Sequence, residues 1–323
     1  MRFLSDELRK KMGGKAIHAF FEGASRIAAL HPNARPEKYG ITVLKNIDYH
    51  GDGAEHHLLD VYQPPEYTPG KLLPVVFYVH GGAFRILSKD THWSMALSYA
   101  RRGYVVVTIN YGLVPHHTFP ANLTDVTTAY RWLTQNAATY GADLDRLVVS
   151  GESAGANLSM ALLMAATYER EETFAKTVFE TGVVPRAMVP MCGIFQVSDP
   201  DRFGRRKPHL SAVLRDRIDV TSRTYVGSDV QGSILDFADP LVFFERGEKP
   251  TRSLPPTFLS VGTADPLLDD TRRMYKALRG LGVDVDARYY RGGVHSFQAF
   301  IFQSLAKEHW KHTHDFLDRV IPR

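Results

Sequence analysis

The sequence predicts a mainly parallel α/β sheet covered by helices on both faces. Three observations carry that expectation. Leu73–Val79 and Tyr104–Ile109 are continuous apolar runs, the second holding Val105, Val106 and Val107 in a row. Such runs mark strands buried on both faces, as in parallel sheets. Helical patterns alternate with these runs along the chain, which is how a parallel sheet is covered. Finally, two early strand patterns flank the turn Gly51-Asp52-Gly53, which predicts an antiparallel edge.

In chain order, residues 4–30 read as helical. Leu4, Leu8, Met12, Ile17, Phe20, Phe21, Ile27 and Leu30 recur at roughly helical spacing, and Gly13-Gly14 divides them into two helices. Pro32 and Pro36 close the segment. Strands follow at Ile41–Tyr49, His56–Gln63, Leu73–Val79, Tyr104–Ile109, Arg146–Ser150, Ala187–Met191, Thr257–Val261 and Val283–Tyr290. Helices are expected at Trp93–Arg101, Leu123–Thr139, Ala154–Tyr168, Thr271–Leu281 and Phe297–Val320. The charged stretch Gln196–Asp239 interrupts the alternation. Connections this long usually carry function or structure of their own.

Composition narrows the function classes. The 323 residues allow about two domains or one large α/β unit. At 44% hydrophobic and 23% charged, the chain is an ordinary globular sequence. Scattered basic residues, 39 Lys+Arg against 35 Asp+Glu, argue against a nucleic-acid partner. One cysteine, Cys192, excludes an intramolecular disulfide and a cysteine-rich zinc module. No apolar run reaches 18 residues, and Met1–Glu7 lacks the apolar stretch of a secretory signal, so a cytoplasmic protein off the membrane is expected.

Gly151-Glu152-Ser153-Ala154-Gly155 matches G-x-S-x-G, with an apolar strand before it and a small-residue helix after it. That is the setting of a nucleophile held on a sharp turn. A serine hydroxyl needs a base, and the base needs an orienting partner. Asp265, in Gly262–Leu267, and His295, in Arg291–Phe297, each follow a strand, in the order Ser, Asp, His. Taken singly, Asp265 would serve as an N-cap and His295 as a loop histidine among fourteen histidines; their order and placement favour chemistry. His80-Gly81-Gly82-Ala83-Phe84, after the third strand, offers backbone N–H groups to a developing oxyanion together with Ala154. A metal site at His309, His312 and His314 beside Glu308 is the weakest alternative, with solvated surface as its plainer reading.

Together these residues resemble the hormone-sensitive-lipase-like branch (bacterial family IV) of the α/β-hydrolase esterases, from about residue 40 to the C-terminus. The resemblance rests on His80-Gly81-Gly82, Tyr111 with Pro115, Phe119-Pro120-Ala121, Gly151–Gly155, Asp265-Pro266-Leu267 and His295. It implies an α/β-hydrolase fold, a mostly parallel eight-stranded sheet flanked by helices and topped by a helical cap. Residues 1–40 would supply the first cap helices, 196–239 a cap insertion, and 41–195 with 240–323 the catalytic core. It implies Ser153 as nucleophile, His295 as base, Asp265 as its partner, and Gly81, Gly82 and Ala154 as oxyanion donors. Phe84 and Trp93 are candidate pocket residues. No cofactor or metal is expected; the partner is a small-molecule ester, and a homodimer fits the family. Short- to medium-chain esters are the expected substrates, because the 196–239 stretch is charged where an apolar lid would be needed for lipids. An amidase, a carbohydrate deacetylase and a non-catalytic binding protein are the competing readings. Four positions depart from the family pattern: Ala83 replaces a third glycine, Gly112 and His116 replace an Arg and a Glu, and Glu152 stands where Asp is commoner.

Overall fold

A computed structural model of the chain describes residues 31–206, 212–227 and 230–322, with helical residues 23, 25, 27 and 29 ahead of them. The expected N-terminal helices therefore lie mostly outside the described residues, Phe20 and Phe21 included. The strands are β1 (Thr42–Asp48), β2 (Leu58–Gln63), β3 (Leu73–Val79), β4 (Val105–Ile109), β5 (Ala142–Glu152), β6 (Ala187–Met191), β7 (Thr257–Gly262) and β8 (Val285–Tyr290). They form one sheet in the order β1-β2-β4-β3-β5-β6-β7-β8. β2 runs antiparallel to β1 and to β4, and the remaining pairs are parallel.

The continuous apolar runs fill both faces, as the sequence required. Val75, Phe77 and Val79 enter one core cluster while Val76 and Tyr78 enter another, the period-two alternation of a strand. Helices α1 (Trp93–Ala100), α2 (Ala121–Asn136), α3 (Ala154–Thr167), α4 (Thr173–Phe179), α5 (Asp201–Arg206), α6 (Ala212–Val226), α7 (Leu235–Ala238), α8 (Pro240–Glu245), α9 (Leu268–Gly280) and α10 (Ser304–Val320) connect or flank the strands. Every residue of α3 is buried, which explains its Ala-rich sequence. Small side chains let it lie close beneath the sheet. No described helix is long and apolar enough to cross a membrane.

Several boundaries differ from expectation for local reasons. β5 starts at Ala142, because Leu73 and Pro74 pair with Ala142 and Asp143 before the register shifts. α4 has seven residues, too few to display a helical period. The expected helix from Phe297 is split into a 3-10 turn at Phe297–Ala299 and α10 from Ser304. The stretch 196–239 does carry structure of its own, α5, α6 and α7.

Candidate active site

Ser153 stands between β5 and α3 with φ 55° and ψ −115°. A non-glycine residue tolerates that region only where its surroundings impose it. Here they do. The Ser153 N–H donates to the Met191 carbonyl at 2.9 Å, and the Ser153 carbonyl accepts from the N–H groups of Asn157 and Ile194. The flanking glycines are steric requirements. A Cβ on Gly155 would lie 2.1 Å from the Val79 carbonyl oxygen, and one on Gly151 would lie 2.6 Å from that of Gly155.

The three residues expected to cooperate are brought together. His295 Nε2 lies 2.9 Å from Ser153 Oγ, and His295 Nδ1 lies 2.8 Å from Asp265 Oδ2. The loops after β7 and β8 meet because they are bare of side chains: a Cβ on Gly262 would lie 2.0 Å from the Gly293 carbonyl. The Ala264 N–H then donates to that carbonyl at 3.0 Å. Asp265 is buried, and its Oδ1 also accepts the Leu267 N–H at 2.8 Å. Asp265 is not the N-cap of α9, a position Leu267 takes without a side-chain cap; one carboxylate oxygen holds the turn before the helix and the other faces the histidine. Burial disfavours a charge on His295, but the Asp265 charge and hydrogen bond outweigh it and hold the imidazole above its ordinary range. Cys192 is nearer the site than its position at the end of β6 suggested. Its Sγ and the ligating atoms of Asp265 and His295 lie within 4.8 Å of one another. Burial, with Asp265 adding to it, pushes this thiol up to about 12, so it stays protonated.

The loop after β3 corrects one expectation and gives partners to Glu152, an acidic position that sequence reasoning named without a role. The Gly81 N–H does not face an oxyanion; it donates to Glu152 Oε1 at 3.0 Å. A Cβ on Gly81 would lie 2.3 Å from that oxygen, which is why glycine stands there. No hydrogen-bond partner among the described residues is seen for the N–H groups of Gly82, Ala83 and Ala154. Ala83 takes φ 56°, so the loop turns left-handed despite its methyl group. Glu152 is buried and gathers three elements. It accepts from the Tyr78 hydroxyl of β3 at 2.5 Å, from Gly81, and from His92 Nε2, just ahead of α1, at 2.7 Å. Burial pushes the Glu152 carboxyl up, and His92 more than reverses this, so the carboxylate lies below its usual range. His92 is likewise held up against burial by Glu152. Each member of the pair thus favours the charged form of the other. The resemblance marks this position as acidic, but G-x-S-x-G leaves it free and says nothing of its partners.

His80 is buried and kept neutral, its imidazole pushed down to about 3 by desolvation and the neighbouring His92 charge. Its Nδ1–H donates to the Gly81 carbonyl at 2.7 Å, and its ring stacks on Tyr111 at 4.4 Å. The Tyr111 hydroxyl donates to the His80 carbonyl at 2.9 Å. Gly112 has a steric reason too, since a Cβ there would lie 2.4 Å from His117 Cγ. His116 is exposed. Phe84 is fully buried, stacked at 3.6 Å on Tyr225 of α6, so it ties α6 to the loop and presents no free wall. Trp93 is half-buried against the core cluster containing Met95 and Tyr99, and no hydrogen bond or ring contact among the described residues joins it to Ser153 or His295. The tail histidines are not simply solvated surface. His309 is fully buried with Nε2 2.9 Å from Ser260 Oγ, while His312 Nδ1 accepts from the Tyr290 hydroxyl at 3.0 Å and His314 stacks on Trp310.

Comparison with known proteins agrees with this arrangement. Residues 76–299 match a family model described as alpha/beta hydrolase fold. The chain is 31% identical over 253 residues to a carboxylesterase, NlhH, of Mycobacterium tuberculosis, covering 77% of this chain and 73% of that protein. It is 28% identical over 284 residues to the versiconal hemiacetal acetate esterase of Dothistroma septosporum, covering 87% and 80%. Among solved structures it superposes on a hyperthermophilic esterase from the archaeon Pyrobaculum calidifontis with a TM-score of 0.72 at 24% identity, covering 99% of this chain and 100% of that one.

Proposed function

The chain belongs to the alpha/beta hydrolase fold family, in its hormone-sensitive-lipase-like branch, and is a carboxylic ester hydrolase; from that premise we propose that it works through Ser153, His295 and Asp265. The observation that carries this reading is the unbroken chain of hydrogen bonds from Ser153 Oγ through His295 to Asp265. His295 Nε2 takes the serine proton as Oγ attacks the ester carbonyl. Asp265 holds the tautomer and stabilises the imidazolium that forms. The carbonyl oxygen becomes an oxyanion, received by the N–H groups of Gly82, Ala83 and Ala154. His295 then returns the proton to the leaving alcohol. Water, activated by the same imidazole, hydrolyses the acyl-enzyme and frees the carboxylic acid.

Residues 196–239 serve in this reading as part of a cap over the site. The Phe84–Tyr225 stack and the hydrogen bond from the Phe119 N–H to the Tyr225 carbonyl at 2.9 Å support it. A cap sealed by a buried aromatic stack favours short- to medium-chain acyl groups. β8 ends the sheet and offers its outer edge to a second copy, which supports a homodimer. The test is hydrolysis of nitrophenyl esters from acetyl to palmitoyl, with Ser153→Ala as control. The variant should lose roughly five to six orders of magnitude in kcat. Near-normal turnover in Ser153→Ala would overturn the assignment, and a preference for palmitoyl esters would overturn the size limit.

A further inference from the structure

The turn between β1 and β2 holds a second group of ligating side chains, which the hydrolytic reaction does not use. Asp48 shapes the turn. Its Oδ1 accepts the N–H groups of His50 and Gly51 at 2.9 and 2.7 Å, and its Oδ2 accepts that of Gly53 at 2.7 Å. The turn thereby places His50 and Asp52 beside the buried His57. Asp52 Oδ2 lies 2.8 Å from His57 Nδ1 and 3.5 Å from His50 Nδ1. The ligating atoms of all three lie within 4.8 Å of one another. Nitrogen and oxygen ligands about 2.0–2.1 Å from a tetrahedral zinc stand about 3.3 Å apart, between those two distances.

The far side of His57 is also built. Its Nε2 lies 3.2 Å from Asp125 Oδ1, and Asp125 Oδ2 accepts the Gly112 N–H at 2.7 Å. A carboxylate in that place fixes a metal-binding histidine: Nε2–H donates outward and the Nδ1 lone pair faces the ligand. His57 Nδ1 lies 2.9 and 2.8 Å from the two Asp52 oxygens, so either a proton on Nδ1 or a cation stands between them. Two imidazoles and one carboxylate suit Zn²⁺, Co²⁺ or Ni²⁺ better than Ca²⁺ or Mg²⁺. We propose that His50, Asp52 and His57 bind one divalent transition-metal ion, with water as the fourth ligand, and so pin the β1–β2 turn to α2 through Asp125.

The test uses the full, tag-free chain after chelator treatment. Zn²⁺ is titrated calorimetrically and Co²⁺ by its visible absorption. One equivalent should bind, with the intense bands of tetrahedral Co²⁺. Binding should disappear in His50→Ala and in Asp52→Asn, both exposed positions whose circular dichroism should match the parent. No saturable binding to the parent chain would overturn the proposal, because a proton on His57 then suffices. Cys192, Asp265 and His295 form another cluster that could take the ion. Binding that survives His50→Ala but is lost in Cys192→Ser would place the ion there and equally overturn it.

Discussion

Glu152 joins three elements beside Ser153 through one buried carboxylate. Its carboxylate holds the Gly81 N–H, the Tyr78 hydroxyl and His92, and so fixes the loop that carries Gly82 and Ala83. Deleting an oxyanion donor outright typically costs about 10²–10³ in rate. Glu152→Gln keeps the size and one acceptor but loses the charge that holds His92⁺, so it should cost less. We expect kcat to fall about ten- to a hundredfold, with KM little changed and the fold intact by circular dichroism. An unchanged kcat, or a loss confined to KM, would show that the loop does not depend on this carboxylate. The same residue marks a limit of sequence reading. Ser153, Asp265 and His295 were legible because each follows a strand and their order is constrained. The misassignment of Gly81 came from a partner 71 positions away. Whether an N–H faces substrate or a carboxylate is decided by tertiary placement, which glycine spacing does not encode.

At the scale of elements, the edge of the sheet is bound to the active-site side by a buried charge. Asn46 sits at the irregularity between Leu44 and Ile47 with φ 57°, and its N–H donates to Asp60 Oδ1 at 2.9 Å. Lys89 Nζ, almost wholly buried, lies 2.9 Å from the same Asp60 oxygen and donates to Asn46 Oδ1 at 2.8 Å. The Lys89 N–H donates to Asn110 Oδ1, beyond the end of β4. β1, β2, β4 and the segment leading into α1 therefore meet at one ion pair. Lys89→Met leaves the Asp60 carboxylate buried without its cation, a change worth about 3–5 kcal/mol. Urea unfolding should register that loss, and the double variant Lys89→Met/Asp60→Asn should recover much of it. If the double variant is as unstable as the single one, the pair is not the source of the effect. None of this was legible beforehand, for a plain reason. The strands announced themselves by apolar runs such as Leu73–Val79, whereas Lys89 and Asp60 look like ordinary polar residues until the topology buries them together. The short α4 and the break before α10 escaped for a different reason, having too few residues to carry a period.

At the scale of the whole molecule, the described histidines with displaced pKa values fall into two groups with opposite effects on stability, which should give the fold a pH optimum different from that for catalysis. His92 and His295 are held above the ordinary value of 6.5, in both cases against burial, by carboxylates beside them. Their folded pKa values exceed the unfolded ones. The stability they contribute is therefore complete below about pH 6.5 and drains away as pH rises through the folded values. His80 and His309 are pushed down to about 3 and His314 to about 4, chiefly by desolvation. As pH falls below 6.5 the unfolded chain takes up protons at these three positions that the folded chain refuses. Each then costs about 1.4 kcal/mol per pH unit, or roughly 4 kcal/mol per unit for the three. Glu152, whose folded pKa is depressed, adds to the loss only where pH falls through the carboxylate range below 4.5. Stability should accordingly peak near pH 6.5 and fall more steeply on the acid side. The reaction proposed above needs the opposite form of His295, since only the neutral imidazole can accept the serine proton. The acid limb of kcat/KM should therefore lie above 6.5, and the enzyme should be most active at a pH where it has already given up part of its stability. Urea unfolding from pH 5 to 8.5, set beside kcat/KM over the same range, measures both curves. A stability that climbs steadily to pH 8.5, or an acid limb below 6, would contradict the charge states assigned to these histidines.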